Sequence, residues 1–417
     1  MINRVRGMQD FLDMRLFEYV VQTVQAHLER QNFKSIATPI IESAELFRRS
    51  LGQHTDAVGK EMFVLESRTD DSESQLCLRP EMTASVVRAF IEHSVEVRPW
   101  RVFSWGPVFR YERPQKGRYR QFHQFNIEVI GAQSIGYDAQ LLALLDTLFK
   151  KGFLLSDYRL DINFLGCMQD RTGFKQVLQQ FLTQHAADIC QTCLVRKDAN
   201  VLRIFDCKSP TCQKRYVDAP KLVDSLCGVC QAEWTMLQRL LTELSVTFQI
   251  NHRLVRGLDY YNKTCFEFSS ENLGAQTAFC GGGRYDDLIG QLSPKHAAPA
   301  VGAGIGIERL MLLLESQFDK KDEKLLVGCI AFENEQVADI LKAAQALVAA
   351  GLSVELLLDG SLKSSFKRAD KLGCSHVLVV GPEEQAEQKA MVKDMKTGQQ
   401  MFLQLNDGEL VGYFLAK

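Results

Sequence analysis

Apolar positions near the N-terminus recur every three or four residues (Phe11, Met14, Leu16, Tyr19, Val20, Val24, Leu28), which predicts a helix over 10–31. FKSIATPIIES (33–43) then reads as a strand, with Pro39 marking a bulge or an edge because proline has no N–H for the ladder. Helices are predicted over 44–50 and 80–92, with Pro80 suited to a first turn. Two β-rich runs, RVFSWGPVF and YRQFHQFNIEVIG, flank a charged loop with Pro114 and Gly117 and predict a long hairpin. A helix over 140–148 follows.

The segment 166–245 is polar, cysteine-bearing and mainly helical in pattern, and it separates two β-rich regions as an insertion would. The β pattern returns at KTCFEFSS and AQTAFCGGG and ends in AVGAGIGIERLMLLLE, a glycine-spaced strand leading into a helix. DKKDEK (319–324) reads as a linker. Beyond it strand and helix patterns alternate, which predicts a small α/β domain with a mostly parallel sheet. The expected division is 1–165 and 246–318 as one α+β domain in two parts, 166–245 as its insertion, and 325–417 as a separate domain.

Charge changes the picture locally. The 417 residues carry 49 Lys+Arg against 51 Asp+Glu, so bulk charge gives no signal for a polyanion partner. Between Arg98 and Arg120, however, seven cations (Arg98, Arg101, Arg110, Arg113, Lys116, Arg118, Arg120) face a single acid, Glu112. MINRVRGMQDF lacks the apolar stretch of a signal peptide, and no apolar run approaches membrane-spanning length, so a cytoplasmic location and no membrane partner are expected.

Strand geometry turns the hairpin into a candidate site. Alternate residues share a face, so Arg118, Arg120, Phe122, Gln124, Asn126 and Glu128 look one way, and Phe125, Ile127 and Val129 look toward a core. Cations at one end and a carboxylate at the other suit a ligand with anionic and cationic parts; a solvated surface hairpin has the same pattern. No G-x-x-x-x-G-K-[ST] is present, which excludes a P-loop. Gly302, Gly304 and Gly306 form a weak, incomplete dinucleotide pattern, and alternate glycines in a strand equally suggest a flat ligand lying close to the backbone.

Taken together these stretches resemble the class II aminoacyl-tRNA synthetases: a strand with Pro39, a hairpin with Arg110 leaving its first strand, and Gly304 to Arg309 correspond to that class's three motifs. RLVRGLDYYNKTCFEF (253–268), CGGGRYDDLI (280–289), RGMQD, LRPEMTA and ERPQKGRYRQFHQ are similar to segments of the histidyl-tRNA synthetase family. The resemblance runs from residue 6 to the C-terminus. It implies an antiparallel-sheet catalytic domain with a helical insertion, a C-terminal α/β anticodon-binding domain, and a homodimer. The implied reaction takes L-histidine, ATP with Mg2+ and tRNA(His), by way of a histidyl-adenylate.

By the same resemblance, Arg256 and Arg110 act on the α-phosphate, and Arg110, Glu112, Arg118 and Arg309 bind ATP. Glu81, Thr83 and Gln124 surround the histidine ammonium, Glu128 and Tyr261 bracket the imidazole with Tyr285 nearby, and Arg256 also touches histidine. Arg113, Gln115 and Lys116 meet the tRNA acceptor end. Lys363, Lys367 and Arg368 are candidates for the anticodon stem. Met82 stands where the family commonly has glycine, which bears on the pose of Glu81 and Thr83.

The cysteines are read from spacing alone. ICQTC and LCGVC supply two C-x2-C knuckles, Cys190 with Cys193 and Cys227 with Cys230, a pattern that suits a structural tetrathiolate zinc site. Cys207 and Cys212 lie between them as alternative ligands, and buried free thiols are the competing reading. A non-catalytic relative that regulates histidine biosynthesis, and a synthetase for another amino acid, are the rival readings of the whole chain.

Overall fold

In this computed structural model the described residues are 2–52, 56–66, 75–115, 117–255, 260–274, 276–318, 325–405 and 407–416. The chain divides into two compact units, Met1–Phe318 and Asp319–Lys417. The strands of the first unit are β1 (Lys34–Ser35), β2 (Ile41–Ser43), β3 (Leu76–Leu78), β4 (Trp100–Phe109) and β5 (Gln121–Ile130), then β6 (Arg159–Phe164), β7 (Gln249–Ile250), β8 (Asn262–Ser269), β9 (Ala278–Arg284) and β10 (Ala300–Gly306).

Eight of them form one sheet in the order β1-β4-β5-β10-β9-β8-β6-β7, antiparallel through its middle from β4 to β6. The predicted hairpin is β4–β5, running in register from Trp100 opposite Ile130 to Phe109 opposite Gln121. Pro39 does more than bend a strand. The chain leaves the large sheet after β1, and β2 pairs with β3 in a separate two-stranded sheet. Arg79 fixes this crossing: its guanidinium donates to the carbonyls of Thr38 at 2.9 Å and Pro107 at 3.0 Å.

Each face of the large sheet buries a different core. Phe125, Ile127, Val129, Phe266, Phe268 and Ile305 pack with helices Arg15–Arg30, Gly136–Thr147, Gly228–Glu243 and Ile307–Leu314. On the opposite face Val102, Ile130, Tyr260, Tyr261 and Tyr285 pack with helices Ala44–Leu51 and Thr83–Glu92. The polar parity of β5 is therefore covered as well: Asn126 and Glu128 are buried. The helix expected from 80 begins at Thr83, because the Glu81 carboxylate accepts the N–H groups of Thr83 (2.6 Å) and Ala84 (2.8 Å) at the helix N-terminus. Burying Glu81 and Glu128 without such partners would cost several kcal/mol each.

One buried ion pair joins β9 to helix Gly136–Thr147. Arg284, 1% exposed, bonds Asp138, 0% exposed, and also donates to the carbonyls of Ala132 (2.6 Å) and Ser134 (3.2 Å). Arg284→Ala leaves the Asp138 charge buried and unpaired, and a loss of about 3–5 kcal/mol in urea unfolding is expected; a loss under 1 kcal/mol would show that Asp138 finds water or another partner.

The second unit carries β11 (Leu326–Ala331), β12 (Ser353–Leu356), β13 (His376–Val380), β14 (Lys389–Asp394) and β15 (Gln400–Gln404), in the order β12-β11-β13-β14-β15. The first three are parallel, but β14 and β15 are antiparallel, so the sheet is mixed where the sequence pattern suggested mostly parallel. The reason is length. Parallel neighbours need a crossover of about a dozen residues or more, and 381–388 and 395–399 are shorter. No helix among the described residues is long and apolar enough to cross a membrane.

Candidate active site

β5 and β10 lie side by side, and Phe122 and Gln124 of β5 with Gly304 and Gly306 of β10 line a cleft of about 350 Å3 together with Arg110, Glu112, Arg118 and Arg309, among others. The cationic stretch divides here. Arg110 and Arg118 reach the cleft, whereas Arg98 lies over the Phe90 ring at 4.5 Å, Arg101 donates to Gln140 at 3.0 Å, and Arg120 stacks on Tyr111 at 3.8 Å. Arg110 is set against the wall by its Nε–H to the Pro80 carbonyl (2.9 Å) and by the Phe122 ring beneath it at 5.4 Å. Arg118 pairs with Glu112, and Glu61 lies 4.0 Å from it. Across the cleft Arg309 donates to the carbonyls of Gly117 (2.9 Å) and Ala278.

Behind the cleft is a buried polar network. Glu128 accepts from Tyr285, from the Thr83 hydroxyl at 2.7 Å and from Asn126 Nδ2 at 3.0 Å. Burial outweighs these three donors and pushes its carboxyl up to about 7, with the nearby Glu81 charge adding to the rise. Burial likewise raises Glu81 above the ordinary carboxylate range, against its two backbone donors and the attraction of Arg110. Gln124 bridges the two parts: it lines the cleft, and its Oε1 is buried with no hydrogen-bond partner. A buried acceptor of this kind suits a ligand that donates N–H.

The alternate glycines of β10 prove to make room for these side chains rather than only for a ligand. A Cβ on Gly302 would lie 1.9 Å from Glu128 Oε2, and one on Gly304 would lie 1.9 Å from Gln124 Nε2. Any side chain at either position would push the polar groups out of the site. Met82 is accommodated: it is buried, and its sulfur accepts the Ser104 hydroxyl at 3.6 Å, while Glu81 and Thr83 keep their bonds at the helix start.

Of the residues named from sequence, Arg110, Glu112, Arg118, Gln124 and Arg309 share the cleft, and Glu81, Thr83, Glu128 and Tyr285 share the network. Tyr261 is buried beside it, with its ring 4.5 Å from that of Tyr260. Gln115 exchanges backbone hydrogen bonds with Arg118 in the hairpin loop that also carries Arg113. Arg256 and Lys116 lie outside the described residues. In the second unit Lys363 and Lys367 are exposed on helix Leu362–Leu372, and Arg368 lies 3.7 Å from Glu355.

Sequence reasoning missed Asn126 as a Glu128 donor, although it shares the strand face, and it missed Tyr260, whose ring lies 5.6 Å from that of Tyr285. It also missed Glu308. That carboxylate accepts the His123 N–H at 2.9 Å and meets its ring Nδ1 at 2.8 Å, which ties the start of the Arg309 helix to β5. The pair spans 185 positions, so no local pattern could signal it.

The cysteines group differently from their spacing. Cys190 and Cys193 gather with Cys207 and Cys212, and Cys227 and Cys230 with Cys167 and Asp170. The set Cys190, Cys193, Cys227, Cys230 is therefore not one cluster, because each knuckle opens its own helix and each helix packs against a different partner segment.

Comparison with known proteins gives the family and the fold. A family model described as histidyl-tRNA synthetase matches residues 7–310, and one described as an anticodon binding domain matches 324–417. The histidine--tRNA ligase of Sulfurimonas denitrificans is 40% identical over 400 residues, covering 95% of this chain and 97% of that protein. That of Aquifex aeolicus is 40% identical over 416 residues, covering 97% and 99%. Among solved structures, apo histidyl-tRNA synthetase of S. aureus superposes with a TM-score of 0.80 at 31% identity, covering 99% of this chain and 100% of that one. A Bacillus halodurans chain titled as an ATP phosphoribosyltransferase regulatory subunit/histidyl-tRNA synthetase shares the fold, with a TM-score of 0.64 at 21% identity over 91% of this chain and 98% of that one.

Proposed function

From a chain that belongs to the histidyl-tRNA synthetase family, we infer a two-step ligase that joins L-histidine to tRNA(His) through a histidyl-adenylate. In the first step a histidine carboxylate oxygen attacks the α-phosphorus of ATP, which enters as its magnesium complex, and diphosphate leaves. In the second a terminal ribose hydroxyl of the tRNA attacks the histidyl carbonyl, and AMP leaves.

The observation that carries this reading is the junction of an arginine-walled cleft with a buried carboxylate network at Gln124. A triphosphate repels an approaching carboxylate. Fixed cations offset that repulsion and the charge that builds on the transferring phosphoryl group. Arg110 is assigned to the α-phosphate and Arg309 to the adenine and γ-phosphate, with Glu112 and Arg118 at the nucleotide; the family pattern adds Arg256 at the α-phosphate. Gln124 Oε1, Glu81 and Thr83 suit the ammonium, and Glu128 with Tyr261 and Tyr285 suits the two ring nitrogens, one a donor and one an acceptor. The loop with Arg113, Gln115 and Lys116 is assigned to the acceptor end, and the second unit to the anticodon stem. The family also implies a homodimer, which light scattering after size exclusion tests.

A pH dependence follows from Glu128. An imidazole N–H pairs best with its ionised form, so histidine affinity rises as pH climbs through about 7. Between pH 6 and 8 the ionised fraction changes roughly tenfold, and Kd should follow it in calorimetry. Glu128→Gln removes that component and leaves only the titration of histidine itself; an unchanged pH profile in this variant would remove Glu128 from the imidazole site. The stability effect has the opposite sign: folding favours the protonated carboxyl, and that stabilisation is lost as pH rises from 4.5 through about 7.

Charging of a tRNA(His) transcript with labelled histidine tests the complete reaction. Acid-stable transfer to other transcripts at an equal rate would contradict the tRNA assignment.

A further inference from the structure

The insertion has a core of its own, built from helix Met168–Gln184 and short turns around Phe174, Leu178, Leu182, Ile204 and Tyr216, with no strand among the described residues. A core this small rarely holds a fold by apolar burial alone, and small units are commonly stapled by a metal or disulfides. Cys193, Cys207 and Cys212 sit within this core, with Cys190 packed against it, and all four are free thiols.

We propose that Cys190, Cys193, Cys207 and Cys212 bind a structural zinc ion as a tetrathiolate that staples the insertion. Their four sulfurs lie within 4.8 Å of one another, and Cys190 Sγ is 3.7 Å from Cys207 Sγ. A tetrahedron with Zn–S bonds of about 2.3 Å has edges of about 3.8 Å, whereas a disulfide requires about 2.05 Å. The spacing suits an ion and not a cross-link.

The surroundings suit thiolates. The Cys190 N–H points at Cys212 Sγ (3.1 Å) and the Ser209 N–H at Cys207 Sγ (3.4 Å). Donors aimed at sulfur favour its charged form. The Tyr216 hydroxyl is buried beside Cys193 and Cys212 without an ordinary hydrogen bond, and a thiolate sulfur gives it a strong acceptor. Binding Zn2+ releases the four thiol protons to solvent and leaves a site of net charge −2.

The second group of ligand atoms is differently engaged. Asp170 already accepts the N–H groups of Cys227 (2.9 Å) and Cys167 (3.2 Å), so its carboxylate caps a helix and joins the two ends of the insertion. Thiolate-only coordination also matches soft-ligand preference better than a mixed Cys–Asp set.

The test is elemental analysis of the untagged full chain from zinc-supplemented culture. About one zinc ion per chain is expected at this site, retained in Cys230→Ser and lost in Cys190→Ser and Cys212→Ser. A wild type free of zinc overturns the proposal, as does zinc that survives Cys212→Ser but leaves with Cys230→Ser. Should the serine variants not fold, cobalt(II) added to metal-stripped wild type decides. Sulfur-to-cobalt charge transfer with the intensity of four Co–S bonds and a tetrahedral d–d band supports the site. The intensity of three or fewer Co–S bonds, as the group with Asp170 would give, or a weak six-coordinate oxygen-type spectrum overturns it.

Discussion

Arg110→Ala is expected to slow histidine-dependent ATP–pyrophosphate exchange by roughly 10²–10³-fold, the usual loss when one preorganised donor to a developing charge is removed. Its guanidinium is held by the Pro80 carbonyl at 2.9 Å and rests over the Phe122 ring, so it needs little reorganisation when the α-phosphate arrives. Lysine restores charge but not this planar seating, and Arg110→Lys should recover only part of the rate. The loss belongs mainly in kcat, with a small change in KM for histidine, because the cation acts on charge that appears as the phosphoryl group transfers. Arg256→Ala is expected to lose a similar factor on the family pattern. With both residues assigned to one phosphoryl group, the double variant should lose less than the product of the two. Exchange within threefold of wild type in either single variant would remove that residue from the reaction.

Glu128→Ala is the second large effect. It deletes the acceptor shared by Thr83, Asn126 and Tyr285, and on the proposed assignment it also leaves the imidazole N–H of histidine without its acceptor. Unpaired buried polar groups are the means by which such sites reject ligands, and a fall in kcat/KM for histidine of roughly 10³-fold is expected. Here KM should carry much of the change. Unfolding measurements separate this from collapse: above neutral pH, removing a carboxyl that burial pushes up to about 7 relieves a desolvation cost, which offsets part of the cost of the cavity and of the buried Thr83, Asn126 and Tyr285 donors left without their acceptor. A KM within threefold of wild type would place the imidazole elsewhere.

Strand parity made the polar face of β5 legible from Phe122 onward, since a period of two needs no tertiary information; Arg120 precedes the strand, which begins at Gln121, and stacks on Tyr111 instead. The resemblance supplied the residues around it. Other features depended on contacts that no local pattern encodes. The space beside Gly302 and Gly304 belongs to Glu128 and Gln124, which only the β5–β10 register reveals. The C-x2-C knuckles looked like one metal site, yet each finds partners elsewhere, because spacing along a chain does not say which helix folds back on which. Pro39 read as a bulge or an edge, and β1 is indeed the edge strand of the large sheet; what the pattern could not show is that the break sends the chain from one sheet to another, a choice fixed by the Arg79 bonds. In the second unit connection length decided strand direction where the alternation of pattern could not.

The central claim is that the cleft and network together activate histidine and no other amino acid. ATP–pyrophosphate exchange, run with histidine beside a panel of other amino acids, measures this most directly. Exchange that depends on histidine and stays at background with the rest of the panel is the predicted result. No histidine-dependent exchange, as expected of a regulatory relative sharing the fold, or equal exchange with a second amino acid, would contradict the claim.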